Sequence, residues 1–174
     1  MKVICVSGKA QHGKDSFASL LAASLVDYCG KTVRIFHYAD LLKHICRTYF
    51  DWNGEKDEVG RTLLQRVGTD VIRSQEPDYW VDEVIHLLRL FPNEWDYVII
   101  PDCRFPNEVD KVKEYFESVH IRVIRPGYKS QLTVEQQNHI SETALDNSSP
   151  DIIVYNDGAF FELVKKAAEI AKEL

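Results

Sequence analysis

The run Gly8-Lys9-Ala10-Gln11-His12-Gly13-Lys14-Asp15-Ser16 carries the spacing G-x-x-x-x-G-K. In such a run the main-chain N–H groups of a glycine-pinched turn, and of the helix it opens, can surround phosphate oxygens. The lysine then reaches the transferred group as a mobile positive charge. The spacing is informative only between a strand and a helix, and here an apolar run ends at Ser7 and a helical pattern begins after Lys14. Asp15 stands where most such loops place a Ser or Thr hydroxyl on magnesium. It is expected to replace that hydroxyl as a carboxylate ligand, with Ser16 helping directly or through water. The alternative is a glycine-rich turn whose Asp15 and Ser16 only cap the helix.

Asp102 and Arg104 follow the apolar run Tyr97 to Pro101, at the carboxyl end of a strand, where open α/β sheets bind ligands. Asp102 is expected to serve a metal or its waters, and Arg104 to grip phosphate oxygens; capping of the next element by Asp102 and pairing of Arg104 with Glu108 compete with those roles. Arg61, Arg66 and Arg73, with Gln65 and Thr69 between them, make a donor-rich stretch, part of which must be ordinary solvated helix. Trp80 can stack on a base, against a default of core packing. Arg125 is placed to close on phosphates or to form a rim ion pair. Further along, His139, Ser141 and Glu142 form a polar cluster that can equally cap a surface turn, and Asn156-Asp157-Gly158 reads as a turn.

The elements that must position these groups follow from periodicity. Short apolar runs at 3–7, 32–38, 97–101, 120–125 and 151–155 read as strands with little alternation, as expected when helices cover both faces. Phe17, Leu20, Leu21, Leu25 and Tyr28 share one face of the first helix, which stops at Gly30. The fold class expected is α/β: a P-loop kinase fold with a five-stranded, parallel, doubly wound sheet in the order 2-3-1-4-5. Residues 1–174 read as one domain. Within it, 40–92 form a helical insertion expected to bind an acceptor, with helical patterns after Asp40, at 61–73 and at 77–91. The polar stretch 126–150, with a short helix at 133–140, reads as a lid.

Composition narrows the classes of function. With 174 residues, the chain suffices for one α/β domain. A formal charge of -6 disfavours a broad nucleic-acid footprint while leaving room for a small anionic ligand in a local basic pocket. Cys5, Cys29, Cys46 and Cys103 show no C-x-x-C spacing, so neither a zinc site nor a disulfide framework is expected. Without a signal-like leader or a long apolar run, a cytoplasmic protein that does not engage a membrane is expected.

Taken in order, several blocks resemble the deoxynucleoside monophosphate kinase family of phages and bacteria. They are the loop from Ser7 to Ser16, Tyr38-Ala39-Asp40-Leu41-Leu42-Lys43, Leu64 to Thr69 with Arg73 and Trp80, Asp102 to Glu108, Ser141-Glu142 and Asn156-Asp157-Gly158. In that family the loop lysine is followed by aspartate, as Lys14 is by Asp15. The resemblance implies transfer of the γ-phosphoryl of ATP to a deoxynucleoside 5′-monophosphate with Mg2+, and it is compatible with a homodimer. It implies catalytic roles for Lys14, Asp102, Arg104 and Arg125. ATP would be bound by residues 8–16 with Asn156, Asp157 and Gly158. The acceptor would contact Lys43, Gln65, Thr69, Arg73, Trp80, Arg104, Ser141 and Glu142, and the metal Asp15, Ser16 and Asp102.

Other readings stay open. A kinase of another small acceptor, dephospho-coenzyme A or phosphomevalonate for example, would use an alcohol and make Asp102 a general base. A nucleotide-binding regulator would lack acceptor chemistry, although no N-K-x-D guanine motif is present. Phosphorylation of nucleic-acid ends is disfavoured by the acidic balance.

Overall fold

The computed structural model describes residues 1–174. Five parallel strands form one sheet: β1 (Lys2–Ser7), β2 (Val33–Ile35), β3 (Tyr97–Cys103), β4 (Glu117–Ile124) and β5 (Ile152–Tyr155), in the order β2-β3-β1-β4-β5. This is the expected order. β1 lies at the centre, with Val3, Ile4, Cys5 and Val6 at most 1% exposed.

Alternation along the strands divides the core in two. Val3, Cys5, Val98 and Ile100 pack with Trp80, Val81, Val84, Ile85 and Leu88 of α4 (Tyr79–Leu90) and with Val109 and Val112 of α5 (Pro106–Tyr115). On the other face Ile4, Val6, Ile99, Ile121 and Val123 meet α1 (Lys14–Cys29) and α8 (Phe160–Glu173). From α1, Phe17, Leu21 and Leu25 are fully buried. Tyr28 departs from the expected apolar face: it is 67% exposed, with the Lys172 ammonium over its ring.

Between β2 and β3 the chain forms α2 (Ala39–Tyr49), α3 (Glu58–Gln65) and α4. The helix expected at 61–73 is not uniform, because from Arg66 to Arg73 α3 continues as a π-helix. Gly68 lies there against α2, where a Cβ would meet Leu42 Cδ2 at 2.6 Å, and its carbonyl accepts the Trp80 indole N–H at 2.9 Å. Such widened turns are found mostly near functional sites. The second strand is shorter than expected, since the chain turns into α2 at Tyr38.

The segment expected at 133–140 is two short helices, α6 (Val134–Asn138) and α7 (Ile140–Thr143), divided at His139. Thr133 caps the first by accepting from Gln136 N–H at 3.2 Å, and His139 Nδ1 caps the second by accepting from Ser141 N–H at 3.2 Å. No helix is long and apolar enough to cross a membrane.

Candidate active site

The turn between β1 and α1 has the geometry its glycines permit. Gly8 and Gly13 adopt φ of 145° and 95°, and a Cβ on Gly8 would lie 2.3 Å from the Val123 carbonyl oxygen. Gln11 also takes a positive φ, 62°, a conformation costly for a residue with a side chain. Its amide is held on both sides, accepting from Tyr128 Oη–H at 2.9 Å and donating to Gln131 at 3.0 Å. His12 Nδ1 accepts the Arg125 N–H at 3.2 Å while its ring stands edge-on to Tyr128. Asn156 donates to the His12 carbonyl at 3.0 Å and closes the loop from the β5 side.

Lys14 is 6% exposed, and its ammonium donates to the Lys9 carbonyl at 3.0 Å. Burial, and then the Arg104 charge, lower its pKa to about 8, while Glu142, Asp15 and Asp102 oppose the shift. Two openings meet at this residue. A groove of about 410 Å³ is bordered by Gln11, Gly13, Ser16, Arg125, Asn156 and Gly158; a cavity of about 280 Å³ lies under α2, α3 and the segment between β4 and β5; Lys14 and Asp15 line both.

The cavity gathers all eight acceptor residues expected from the sequence: Lys43, Gln65, Thr69, Arg73, Trp80, Arg104, Ser141 and Glu142 line it, with Asp102. Several have prior engagements within the fold. Arg73 pairs with Glu108, which is 2% exposed, and donates to the Pro77 carbonyl at 2.9 Å, with its guanidinium 3.9 Å above the Phe105 ring. Of its three guanidinium nitrogens, only Nε has no acceptor. Trp80 is 4% exposed and belongs to the core, so packing, the default for such a residue, accounts for its burial. Lys43 donates to Asp40 at 2.8 Å.

Arg104 does not pair its side chain with Glu108. Its backbone N–H and that of Phe105 donate to Glu108 Oε2 at 2.6 and 3.1 Å, as an acidic residue in the first turn of α5 allows. The guanidinium turns instead to Glu142 and to the Ser141 carbonyl, the latter at 3.0 Å. Asp102 accepts Tyr38 N–H and Ala39 N–H, each at 3.0 Å, so it caps α2 across the sheet rather than the element that follows it. Each of its oxygens keeps one lone pair for water or a ligand.

On the groove side Arg125 lies 4.7 Å from the Tyr128 ring centroid. Asp157 departs from the expected nucleotide-binding group: it pairs with Lys166 at 3.0 Å and does not border the groove, although its neighbours Asn156 and Gly158 do. Lys9 pairs with Asp146 at 2.9 Å.

Three residues that line the cavity escaped the sequence reading. His37 lies 3.7 Å from Asp15 and 3.6 Å from Asp40. The Asp15 contact raises its pKa, and the same contact holds the Asp15 carboxyl below its ordinary value. Position at the carboxyl end of a strand was the signal that could have found His37. Lys56, whose pKa is lowered by burial and then by Lys43, and Leu132 belong to loops without periodicity.

Strand order, loop and flanking helices define a P-loop kinase fold. Solved structures of the same fold include APS kinase from Mycobacterium tuberculosis in complex with AMPPNP and APS, with TM-score 0.58, 14% identity, and 99% of this chain and 98% of that one covered. Dephospho-CoA kinase from Campylobacter jejuni is similar at TM-score 0.55 and 12% identity, covering 99% and 97%.

Residues 30–167 match the family model described as deoxynucleotide monophosphate kinase, and the chain belongs to that family. The deoxynucleotide monophosphate kinase of Enterobacteria phage T4 is 35% identical over 116 residues, 66% of this chain and 46% of that protein. A putative deoxynucleotide monophosphate kinase of Acanthamoeba polyphaga mimivirus is 31% identical over 172 residues, 83% and 85% of the two chains. The chain thus spans about half the length of the phage protein and most of the viral one.

Proposed function

We propose that the protein transfers the γ-phosphoryl group of ATP to the 5′-phosphate of a deoxynucleoside or nucleoside monophosphate, giving the diphosphate and ADP. The observation that carries this reading is the position of Lys14 on the boundary between the groove and the cavity. One opening takes the donor and the other the acceptor, so the transferred group passes the buried ammonium. Membership of the family and the names of its relatives support the nucleotide acceptor.

In this mechanism the loop amides and the N-terminus of α1 receive the ATP phosphates. An oxygen of the acceptor phosphate forms a bond to the γ-phosphorus, the bond from that phosphorus to the bridging oxygen breaks, and its electron pair leaves on ADP. The second ionisation of a phosphate monoester has a pKa of about 6, so the attacking oxygen needs no protein base. Lys14 and Arg104 balance the charge spread over the transferred group. Asp102 contributes by fixing the start of α2, and Arg125 by bordering the donor groove.

Asp15 and Ser16 offer oxygen ligands beside the loop, the type that magnesium takes. No group of three or more His, Cys, Asp or Glu residues could cage an ion by itself. That fits a metal that keeps several waters and arrives on phosphate oxygens. When bound, Mg2+ supplies charge neutralisation and orientation of the phosphates.

A coupled ADP-release assay across deoxy- and ribonucleoside monophosphates, with dephospho-coenzyme A alongside, tests the proposal. ADP release that depends on at least one nucleoside monophosphate is expected. Turnover of dephospho-coenzyme A alone, or of no acceptor, would refute it.

A further inference from the structure

Glu142 belongs to the segment between β4 and β5, yet its carboxylate joins two other parts of the site. Oε2 accepts the Ala10 N–H of the loop at 3.0 Å, and Oε1 takes the Arg104 guanidinium. The side chain is 7% exposed, and the residue lines both the acceptor cavity and a pocket of about 260 Å³ behind the loop. One turn further on, Asp146 takes the Lys9 ammonium at 2.9 Å. Successive loop residues are therefore each held by an acid of the same segment, and the Lys9 carbonyl is the group that receives Lys14.

Electrostatics gives this arrangement a purpose. Lys14 and Arg104 are near enough for Arg104 to depress the lysine, and among the acids that offset this, Glu142 has the largest effect. Two cations side by side in a partly buried site need a counter-charge. Both carboxylate oxygens of Glu142 already accept from donors of the protein, and its negative charge would repel the anionic phosphate of an acceptor.

We infer that Glu142 is a positioning residue: it fixes the Arg104 guanidinium against the phosphate loop, beside Lys14, so that the two cations meet the transferred group in one geometry. Phosphoryl transfer itself rests on the function proposed above; the Glu142 to Arg104 relation does not. Glutamine at this position keeps the shape but not the pairing. Its amide oxygen can face Ala10 N–H or Arg104, and its NH2 then opposes a donor on the other side.

The test compares Glu142→Gln, Arg104→Met and the double variant with the full chain. The readouts are kcat, KM for ATP and for the acceptor, thermal unfolding, and the 15N side-chain resonance of Arg104. Glu142→Gln should lower kcat roughly 10- to 100-fold with KM for ATP within about threefold, the scale of one charge-assisted hydrogen bond. The double variant should be no slower than Arg104→Met, and the Arg104 resonance should lose its ordered signature in Glu142→Gln.

Unchanged kcat, losses that multiply in the double variant, or a loss that merely follows the unfolded fraction would each overturn the inference. So would a rise confined to the acceptor KM with the Arg104 signal intact, because Glu142 would then touch the acceptor. If the wild type turns over no nucleoside monophosphate, the proposed function fails, and the Arg104 resonance still decides whether Glu142 holds that guanidinium.

Discussion

The Arg73 guanidinium and the Glu108 carboxylate form a buried ion pair in the wall of the cavity beneath α2 and α3, and the same carboxylate accepts the backbone N–H groups of Arg104 and Phe105. Glu108 thus fixes both a buried cation and the stretch of chain that carries Arg104. Burial raises its carboxyl pKa, and the Arg73 charge opposes that.

Removing one partner of such a pair leaves an uncompensated charge, which typically costs about 3–5 kcal/mol. Glu108→Ala should lose stability on that scale in urea unfolding. A loss below about 1 kcal/mol would show that Arg73 finds solvent or another partner.

A second prediction concerns Lys14 and pH. Its pKa of about 8 means that the ammonium is largely charged at pH 7 and is lost above pH 8. kcat/KM for ATP should therefore fall with an apparent pKa near 8. In Lys14→Arg, whose guanidinium stays charged, the profile should be level over the same range, at lower absolute activity. A wild-type profile that stays level through pH 9.5, about 1.5 pH units past that midpoint, would contradict the burial assigned to Lys14.

Gly8 supplies a steric test. Gly8→Ala would place a Cβ 2.3 Å from the Val123 carbonyl at a φ of 145°. The loop must shift, and kcat/KM for ATP should fall at least about 100-fold, since misplacement by about 1 Å carries a cost of that order. Wild-type kinetics in this variant would mean that the turn is more pliable than described.

His120 makes a prediction for stability alone. It is 1% exposed, shares a 2.7 Å hydrogen bond with Ser7 Oγ, and has its pKa lowered to about 4 by burial, with the Arg122 charge next. A depressed histidine pKa means that the unfolded chain binds the extra proton first. The neutral imidazole therefore contributes fully above the ordinary value of 6.5, and that contribution is lost as pH falls through about 4. Wild type should lose about 2 kcal/mol more than His120→Gln between pH 7 and pH 4, allowing for screening. Equal losses in the two proteins would exclude a role for His120.

What could be read from the sequence was what is local. The phosphate loop is contiguous, and β1, β3 and β4 advertise themselves by apolar runs, so the loop, the sheet order and the helical insertion were all foreseeable. Charge partners were not, because Arg73 with Glu108, Arg104 with Glu142, and Asp102 with the Tyr38 and Ala39 amides meet only once the sheet has formed. The alternative weighed from the sequence paired Glu108 with Arg104 through side chains, whereas only the Arg104 backbone reaches it. The π-helical turn at 66–73 was equally hidden, since an apolar stripe does not separate it from an α-helix.

The transfer reaction is open to a single observation by 31P NMR. Wild-type protein would be mixed with ATP, Mg2+ and each deoxynucleoside monophosphate in turn, with Lys14→Ala as the control. For at least one acceptor the wild type should produce the paired resonances of a new nucleoside diphosphate together with those of ADP, and Lys14→Ala should produce neither. Inorganic phosphate as the only new signal, or diphosphate formed equally well by Lys14→Ala, would contradict transfer past the Lys14 ammonium.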